Sequence, residues 1–277
     1  MSSRYIVKEL LANITKELDN SKIERAAREA QLLLMHYLGV DELWLLTNQN
    51  SEISQIGKLF EWVNRRAKNE PLEYITKKVS FYSEEFFIDE GALIPRPETE
   101  LLIDEVLKHI PNKNEKMTFA EVGVGSGIIS IMLAKFFPNA KFIAVDISQN
   151  ALNIAKVNIK KFGFDSRVEL RLGSLLDVVD EKIDYLVSNP PYIANDAPLE
   201  SNLSYEPQNA LFGGEVGDEI IKKLLDEALK REINFFTCEM GYDQKGKICS
   251  YLNNKPQKSL SFYKDLSDFD RGFTLRL

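Results

Sequence analysis

The stretch Phe119-Ala120-Glu121-Val122-Gly123-Val124-Gly125-Ser126-Gly127 decides the fold, because a short apolar strand runs directly into a turn with alternating glycines. Residues 128–137, which follow, have the pattern of a helix. Glycine permits a tight turn and lets a ligand approach the backbone closely. The stretch therefore predicts a strand–turn–helix unit whose turn binds a ligand, the alternative being a plain connecting turn.

Strand and helix patterns alternate from this point to the carboxyl terminus. This alternation predicts an α/β fold with a doubly wound, mainly parallel sheet. In such a sheet the ligand site lies outside the carboxyl ends of the strands, where the strand order reverses. We expect strands at 119–122, 141–145, 168–172, 185–187 and 234–240, helices at 128–137, 150–162, about 217–230 and 244–252, and a closing hairpin through 261 and 273–277.

The first part of the chain has a different pattern. Residues 1–70 carry apolar residues at helical spacing and predict a small N-terminal helical bundle. Ser21 to Glu24 fits a capping box that opens a second helix, Gly39 is a candidate helix stop, and Asp41 is a candidate cap. Residues 71–92 are rich in β-branched and aromatic side chains, and predict a β-hairpin that joins the bundle to a ligand-binding domain at 93–277.

Composition narrows the class of protein. The formal net charge is −7, so nonspecific binding to nucleic acid phosphates is not expected. The chain has two cysteines, Cys238 and Cys249, without metal-ligand spacing, and two histidines, so we expect no metal site. The N-terminus is charged where a signal peptide is apolar, and no apolar run reaches membrane-spanning length. These features favour a cytoplasmic protein with no membrane partner.

Two carboxylates flank the glycine-rich turn and indicate the kind of ligand. Asp146 follows the second strand, where its oxygens can accept hydrogen bonds from ribose hydroxyls. The third glycine of the dinucleotide fingerprint is replaced by Ile128, and the turn has no P-loop lysine. Glu121 places a negative charge where a pyrophosphate would be repelled and a cationic ligand tolerated. The pattern therefore favours a cationic cofactor that contains a nucleoside.

The fourth strand of the sheet ends in Asn189-Pro190-Pro191-Tyr192. The two prolines remove backbone donors, so the segment cannot continue a strand ladder. The Asn189 side-chain oxygen and the carbonyls of Asn189 and Pro190 remain as acceptors, and Tyr192 offers a flat face. Such a group suits a planar substrate with two N–H bonds, such as an amide or the amino group of a base. The alternative interpretation is a strand-terminating turn.

The pattern Glu121-x-Gly123-x-Gly125-x-Gly127 resembles the first motif of the class I S-adenosylmethionine-dependent methyltransferases. This resemblance implies a seven-stranded Rossmann-like sheet, S-adenosylmethionine as cofactor and S-adenosylhomocysteine as product. It also implies that the segment after strand three holds the adenine, although Ser174 stands where many members have an aspartate. The implied cofactor-binding residues are Glu121, Gly123, Val124, Gly125, Ser126, Gly127, Asp146, Ser174, Leu175 and Asn189.

The chain as a whole resembles the bacterial peptide chain release factor N5-glutamine methyltransferases. The motifs that carry this resemblance are Asn189-Pro190-Pro191-Tyr192, residues 93–100 (Leu-Ile-Pro-Arg-Pro-Glu-Thr-Glu), residues 206–214, Glu239-Met240-Gly241 with Gln244, and Asp265-Leu266 with Asp270-Arg271. The resemblance implies that the substrate is the glutamine of the Gly-Gly-Gln motif in class 1 release factors. One departure is Gly217-Asp218, where many members carry Gly-Leu.

The same resemblance implies roles for particular residues. Asn189, Pro190 and Tyr192 are the expected catalytic residues, and the expected substrate-binding residues are Asn189, Pro190, Pro191, Tyr192, Arg96 and Glu206. For Arg96 and Glu206 the alternative is a structural role in holding loops together. Two other functions use similar residues: a DNA adenine-N6 methyltransferase, which the acidic net charge and the small helical N-terminal segment disfavour, and a non-catalytic S-adenosylmethionine-binding module on the translation machinery.

Overall fold

The computed structural model describes residues 4–199 and 201–277. The chain forms two compact units. One runs to Lys78 and includes the short segment that ends at Tyr205, and the other comprises Val79–Leu199 and Glu206–Leu277.

The first unit is mainly helical, as its apolar spacing predicts. Its elements are β1 (Arg4–Ile6), α1 (Val7–Asn20), α2 (Ala26–Leu38), α3 (Glu42–Thr47), β2 (Glu52–Ser54), α4 (Gly57–Ala67) and α5 (Leu72–Thr76). The buried faces of the helices form one apolar core that includes Leu10, Leu34 and Leu59. The sequence did not predict the antiparallel pair of β1 and β2, in which Tyr5 lies opposite Ile53.

Two of the three helix signals in this unit are confirmed. Gly39 ends α2 in the left-handed conformation, and the Asp41 carboxylate accepts the backbone N–H of Trp44 at 2.8 Å. The capping box at Ser21 to Glu24 is wrong, because α2 begins only at Ala26 and has no side-chain cap. The Ser21 hydroxyl instead donates to the Glu17 carbonyl at 3.0 Å, so this serine completes the end of α1.

A β-hairpin follows, but it is shorter than the stretch 71–92 that was predicted. It consists of β3 (Lys78–Phe81) and β4 (Glu84–Phe87). Residues 72–76 form helix α5 because the Pro71 carbonyl accepts the N–H groups of Tyr74 and Ile75, and both of these side chains are buried. The β-branched and aromatic composition of the segment therefore reflects burial, and not strand conformation, in this part.

The second unit contains the predicted alternation of strands and helices. After a short 3-10 turn at Pro97–Thr99 its elements are α6 (Glu100–His109), β5 (Thr118–Val122), α7 (Ile128–Phe136), β6 (Lys141–Asp146), α8 (Gln149–Phe162), β7 (Val168–Leu172), β8 (Tyr185–Ser188), β9 (Ile193–Ala194), α9 (Gln208–Leu211), β10 (Phe212–Gly214), α10 (Glu219–Lys230), β11 (Phe235–Glu239), α11 (Lys245–Leu252), β12 (Ser259–Lys264) and β13 (Asp270–Arg276).

The main sheet has seven strands in the order β12-β13-β11-β8-β5-β6-β7. The pairs β5–β6, β6–β7, β5–β8 and β8–β11 are parallel, whereas β13 is antiparallel to both β11 and β12. This order confirms the predicted doubly wound, mainly parallel sheet with a closing hairpin.

The strand order reverses between β5 and β8, and this reversal positions the site. At the carboxyl ends of these strands Val122 lies opposite Ser188, and the Ser188 hydroxyl donates to the Val122 carbonyl at 2.7 Å. Gly123 and Asn189 are the first residues after these two strands, so the glycine-rich turn and the Asn-Pro-Pro-Tyr segment leave the sheet side by side. Within residues 4–199 and 201–277, every helix is too short or too polar to cross a lipid bilayer.

Candidate active site

A cavity lies outside the carboxyl ends of the central strands, where a doubly wound sheet binds its ligands. Segments that follow four neighbouring strands line it, and two loops from elsewhere in the second unit complete it. The lining residues include 121–126, 145–148, 173–175 and 189–191, together with Leu93, Pro95, Thr99, Pro207 and Asn209. The structure therefore brings most of the sequence-predicted site residues to one place.

The glycine-rich turn forms one wall of the cavity. Gly123, Gly125 and Gly127 have φ angles of 76°, 53° and 84°, which residues with a β-carbon rarely adopt. A β-carbon on Gly125 would meet no atom within 4 Å, so this residue opens onto space. Gly127 is not among the lining residues: a β-carbon there would lie 3.2 Å from that of Ala155, so Gly127 serves the close packing of α7 and α8.

Glu121 lines the cavity although it is only 1% exposed. Its Oε2 accepts hydrogen bonds from the Ser130 backbone N–H, at 2.9 Å, and from the Ser130 hydroxyl. Its Oε1 is buried and has no hydrogen-bond partner among the residues that the structure describes. Burial raises the pKa of Glu121 to about 8, and the Ser130 hydrogen bonds oppose this rise. A buried acceptor without a partner indicates that a ligand supplies the missing donor.

Asp146 lies at the end of β6 and lines the cavity next to the glycine-rich turn. Its carboxylate accepts the backbone N–H groups of Gly125 and Ser148, both at 2.9 Å. Burial raises its pKa, and these hydrogen bonds act in the opposite direction. The two bonds hold the carboxylate in a single orientation and shape the turn around it.

Ser174 and Leu175 line the cavity beyond Asp146, at the segment after β7. Ile147, which was not predicted as a site residue, also lines the cavity and is 59% exposed. An apolar side chain left open beside a cavity offers a surface for a flat, apolar part of a ligand.

Asn189, Pro190 and Pro191 line the cavity on the other side of the glycine-rich turn. The Asn189 Nδ2 donates to the Thr99 hydroxyl oxygen at 3.0 Å. The NH₂ group of the carboxamide therefore donates within the protein, which leaves Oδ1 to accept a hydrogen bond from a ligand. The side-chain oxygen and the carbonyls of this segment are the acceptors that the sequence predicts.

Tyr192 is placed differently from the other members of this motif, since it is not among the lining residues. Its hydroxyl donates to Glu239 Oε1 at 3.1 Å, and its carbonyl accepts Gln244 Nε2 at 3.0 Å. Burial, followed by the charge of Glu239, raises the pKa of Tyr192. In this arrangement the tyrosine anchors the segment to β11 and α11.

Arg96 and Glu206 form an ion pair with each other, and neither is among the lining residues. The Glu206 side chain is 1% exposed, and its Oε2 also accepts the Ile94 N–H at 2.9 Å. The adjacent residues Pro95 and Pro207 do line the cavity. The pair thus joins the two loops that complete the cavity wall.

Glycines behind the Asn-Pro-Pro-Tyr segment set its position. A β-carbon on Gly213 would lie 2.5 Å from the Pro191 carbonyl oxygen, and one on Gly217 would lie 2.5 Å from that of Tyr192. Both contacts are too close for any residue other than glycine. At the neighbouring departure from the family pattern, Asp218 is 1% exposed and forms an ion pair with Lys222 at 2.9 Å, whereas its buried carboxylate oxygens have no hydrogen-bond partner among the residues that the structure describes.

Three polar residues with structural importance at the site were missed in the sequence. Thr99 donates to Glu239 Oε2 at 2.7 Å. Asn158, which is fully buried on α8, donates to the carbonyls of Ser126 and Phe87, each at 2.8 Å, and accepts the Phe87 N–H at 2.8 Å. Thr99 and Glu239 both lie in motifs quoted for the family resemblance, which was the available signal.

Within the described ranges no group of three His, Cys, Asp or Glu side chains is arranged to hold a metal ion.

Comparisons with known proteins agree with this site. Residues 9–76 match the family model of the PrmC N-terminal domain, and residues 97–205 match that of the methyltransferase small domain. The release factor glutamine methyltransferase of Clostridium acetobutylicum is 32% identical over 275 residues, which is 96% of each chain. That of Dictyoglomus turgidum is 38% identical and covers 83% of each chain. A bifunctional methyltransferase of Rickettsia typhi is 32% identical, and the match covers 97% of this chain and 57% of that protein.

Solved structures show the same fold at low sequence identity. The catalytic domain of human METTL16, in complex with an RNA hairpin, has a TM-score of 0.59 at 13% identity and covers 82% of this chain and 84% of its own. The N-terminal domain of the same human protein in complex with SAH has a TM-score of 0.54 at 17% identity and covers 69% and 75%. The fold is thus that of a methyltransferase domain. With the identity and coverage of its relatives, the chain belongs to the family of release factor glutamine methyltransferases.

Proposed function

We propose that this protein transfers a methyl group from S-adenosylmethionine to the side-chain nitrogen N5 of the glutamine in the Gly-Gly-Gln motif of class 1 peptide chain release factors. One observation carries the proposal: the Asn189-Pro190 acceptors and the glycine-rich turn line the same cavity. The names of the curated relatives supply the substrate class.

The cavity fits S-adenosylmethionine. The unpartnered Oε1 of Glu121 suits its ammonium group, the open turn at Gly125 admits it next to the backbone, and Asp146 suits its ribose hydroxyls. Ile147 and Leu175 offer apolar contacts for the adenine, with Ser174 beside them as a hydrogen-bonding group. When bound, the cofactor supplies a methyl group on a positively charged sulfur, and leaves as S-adenosylhomocysteine.

The protein's own task is to make an amide nitrogen reactive. The lone pair of an amide nitrogen is delocalised into its carbonyl, so the nitrogen is a weak nucleophile. We infer that Asn189 Oδ1 and the Pro190 carbonyl accept the two N–H bonds of the glutamine. These acceptors orient the nitrogen and stabilise the positive charge that develops on it as the N–C bond forms. The nitrogen then loses its extra proton to water, and no base in the protein is required.

Glu239 and Arg96 do not line the cavity, so neither is assigned to contact with the reacting atoms. Tyr192 supports the segment from behind through its bond to Glu239. In this proposal Arg96 and Glu206 shape the cavity entrance by holding its loops. We place the protein in the cytoplasm because its proposed substrate acts in translation.

The test is methylation of a purified class 1 release factor, with peptide mass spectrometry of the Gly-Gly-Gln region. We expect the mass of one methyl group to appear on the glutamine in the presence of S-adenosylmethionine, and not in a release factor whose glutamine is replaced by alanine. DNA is the matched alternative substrate, since Asn189 and Pro190 also suit the amino group of adenine. Methylation of DNA and not of the release factor would overturn the proposal.

A further inference from the structure

A chain of hydrogen bonds reaches from the cavity into the protein through side chains of three separate elements. Asn189 Nδ2 donates to the Thr99 hydroxyl oxygen at 3.0 Å, and the Thr99 hydroxyl donates to Glu239 Oε2 at 2.7 Å. Asn189 follows β8, Thr99 precedes α6, and Glu239 ends β11. Thr99 is 1% exposed and Glu239 is 2% exposed, so water has little access to the bond between them.

The direction of the chain follows from which groups carry hydrogens. A carboxylate can only accept, so the single hydroxyl hydrogen of Thr99 is committed to Glu239. The Thr99 oxygen is then available to Asn189 only as an acceptor. If the Asn189 carboxamide turned over, its oxygen would face the Thr99 oxygen with no hydrogen between them. That arrangement places two acceptors against each other beside the buried Thr99 side chain, and is disfavoured.

The second oxygen of Glu239 strengthens this commitment. Oε1 accepts the Tyr192 hydroxyl at 3.1 Å, so both carboxylate oxygens receive donors from the protein. Tyr192 belongs to the same segment as Asn189. Glu239 therefore holds the segment at two points, directly through Tyr192 and through Thr99.

We propose that Thr99 and Glu239 are positioning residues that lock the Asn189 carboxamide with its oxygen toward the cavity, and thereby make the site selective for a substrate carboxamide over a carboxylate. This inference rests on the proposed function, because it names how that substrate is distinguished. An amide offers N–H donors to the Asn189 oxygen, whereas the carboxylate of a glutamate at the same position would face it with a second acceptor. A site built to receive a donor rejects the analogue that lacks one.

The first experiment compares Thr99→Val with Thr99→Ser, using release factor as methyl acceptor. Valine has a shape close to that of threonine but has no hydroxyl, so the Asn189 carboxamide is released. We expect kcat to fall about 10- to 100-fold in Thr99→Val, while KM for S-adenosylmethionine changes less than about threefold. Thr99→Ser keeps the hydroxyl and should retain kcat to within about threefold.

Thr237→Val is the matched control. Thr237 is fully buried on β11, the strand that also carries Glu239, and its hydroxyl donates to the Phe273 carbonyl at 3.1 Å. This variant also removes a buried hydroxyl, but away from the cavity. We expect its kcat to match that of the wild type. An equal loss of kcat in Thr99→Val and Thr237→Val would show a general packing effect and overturn the proposal.

Inhibition by a release factor with Gln→Glu in its Gly-Gly-Gln motif tests the selectivity directly. Structural damage to the enzyme would weaken its binding of the Gln→Glu release factor. In contrast, an Asn189 carboxamide that is free to turn over can present its N–H groups to the glutamate carboxylate. We expect the inhibition constant of the Gln→Glu release factor to be at least about threefold lower, which is tighter inhibition, in Thr99→Val than in the wild type. An unchanged or weaker inhibition would overturn the assigned selectivity.

A readout without turnover separates this inference from the proposed function. The Asn189 side-chain amide protons are observable by nuclear magnetic resonance in the full chain, with Asn189→Asp to assign them. We expect slow solvent exchange in wild type and Thr99→Ser, and faster exchange in Thr99→Val. If wild type fails to methylate release factor, the proposed function is wrong, and this exchange comparison still decides the orientation. Equal exchange in all three proteins would overturn it.

Discussion

The backbone carbonyl of Asn189 lies 3.6 Å from the position that a β-carbon on Gly123 would occupy. This proximity follows from the pairing of β5 and β8, whose last residues lie opposite each other. A ligand held by the glycine-rich turn and a substrate held by Asn189 therefore meet in one cavity.

Asn189→Ala removes the side-chain acceptor. We expect kcat to fall about 100- to 1,000-fold, as when a preorganised hydrogen-bonding group is removed from an active site, while S-adenosylhomocysteine binds nearly as tightly as before. Calorimetry measures the affinity, and methyl transfer to release factor measures kcat. Asn139→Ala is the control, since Asn139 is exposed and its Nδ2 donates to the Asn114 carbonyl. Equal losses of kcat and cofactor affinity would contradict the role given to Asn189.

Glu121 predicts a pH dependence of cofactor binding. Its pKa is raised to about 8 by burial, so the free protein holds a proton there at neutral pH. An ammonium group favours the carboxylate, and binding then expels that proton. Affinity for S-adenosylhomocysteine should therefore rise between pH 6 and about 8, by at most about tenfold per pH unit. Above that range the ligand's own amino group loses its charge.

The control for this titration is Glu121→Gln, in which we expect a much flatter pH dependence. The same raised pKa affects the stability of the unliganded protein. The Glu121 carboxyl ionises near pH 4.5 in the unfolded chain but only near 8 in the folded protein, so the free energy of unfolding should fall as pH rises between these values. Urea unfolding at several pH values should show this loss in the wild type and less of it in Glu121→Gln. A pH-independent affinity in the wild type would show that no cation approaches Glu121.

Glu239 predicts a second pH effect, on turnover. Its pKa is raised to about 7, mainly by burial. Hydrogen bonds from Thr99 and Tyr192 and the charge of Arg271 oppose this rise, whereas the charge of Glu98 adds to it. Cys238 and Tyr263 also lie near this carboxylate. When protonated, Glu239 can donate to Thr99, which frees the Thr99 hydroxyl to donate to Asn189 and permits the carboxamide to turn over.

We therefore expect kcat to decline as pH falls through about 7, with full activity above that value. A plot of kcat against pH at saturating substrates measures it. In Glu239→Gln the side chain no longer titrates, so kcat should be low at every pH and the step near 7 should disappear. Persistence of that step in Glu239→Gln would assign the titration to another group.

Gly213→Ala tests the support behind the substrate segment. The added β-carbon would lie 2.4 Å from the Gly217 carbonyl oxygen and 2.5 Å from that of Pro191, so backbone must move. A displacement of this size at a reacting centre is expected to lower kcat by about 10- to 100-fold. Gly246→Ala on α11 is the control, because its β-carbon meets no atom within 4 Å and alanine should stabilise that helix by about 0.5–1 kcal/mol. Wild-type kcat in Gly213→Ala would show that the segment tolerates the shift.

Arg96→Met tests whether the Arg96–Glu206 pair joins loops or contacts substrate. The variant leaves the Glu206 carboxylate buried without its counter-charge. We expect a loss of about 2 kcal/mol in the free energy of unfolding, less than for a fully buried pair because Arg96 is 32% exposed. Arg96→Met with Glu206→Gln should recover much of this loss, since the amide oxygen can still accept the Ile94 N–H. Unchanged stability with loss of release factor methylation would instead place Arg96 at the substrate.

Local chemistry explains why much of the fold was predictable. Asp41 and Gly39 act on residues within one helical turn, and strand–helix alternation indicates a mainly parallel sheet through general rules of connection. The failures also have local causes: Ser21 can serve the end of one helix or the start of the next, and spacing alone does not decide. The paired strands β1 and β2 have three residues each, too short for a period-two pattern to appear.

At the site, the residues that follow the strands were accessible from sequence because strand ends converge at one edge of the sheet. The bond from Thr99 to Glu239 was not, since the two residues are 140 positions apart and the motifs that contain them do not show that their side chains meet. Likewise, the bond of the Tyr192 hydroxyl to Glu239 depends on the position of β11. Sequence patterns identify which segments meet, whereas the orientation of each side chain depends on packing among distant elements.

The buried amide of Asn158 gives the hairpin strand β4 a part in ligand binding. It bonds Phe87 on both its donor and acceptor sides and also holds the Ser126 carbonyl of the glycine-rich turn, and with no exposed surface it has no water to replace these partners. A movement of Phe87 is therefore transmitted to the turn. The hairpin therefore supports the glycine-rich turn from outside the main sheet, and we expect insertions within it to be tolerated only where Phe87 keeps its hydrogen bonds to Asn158.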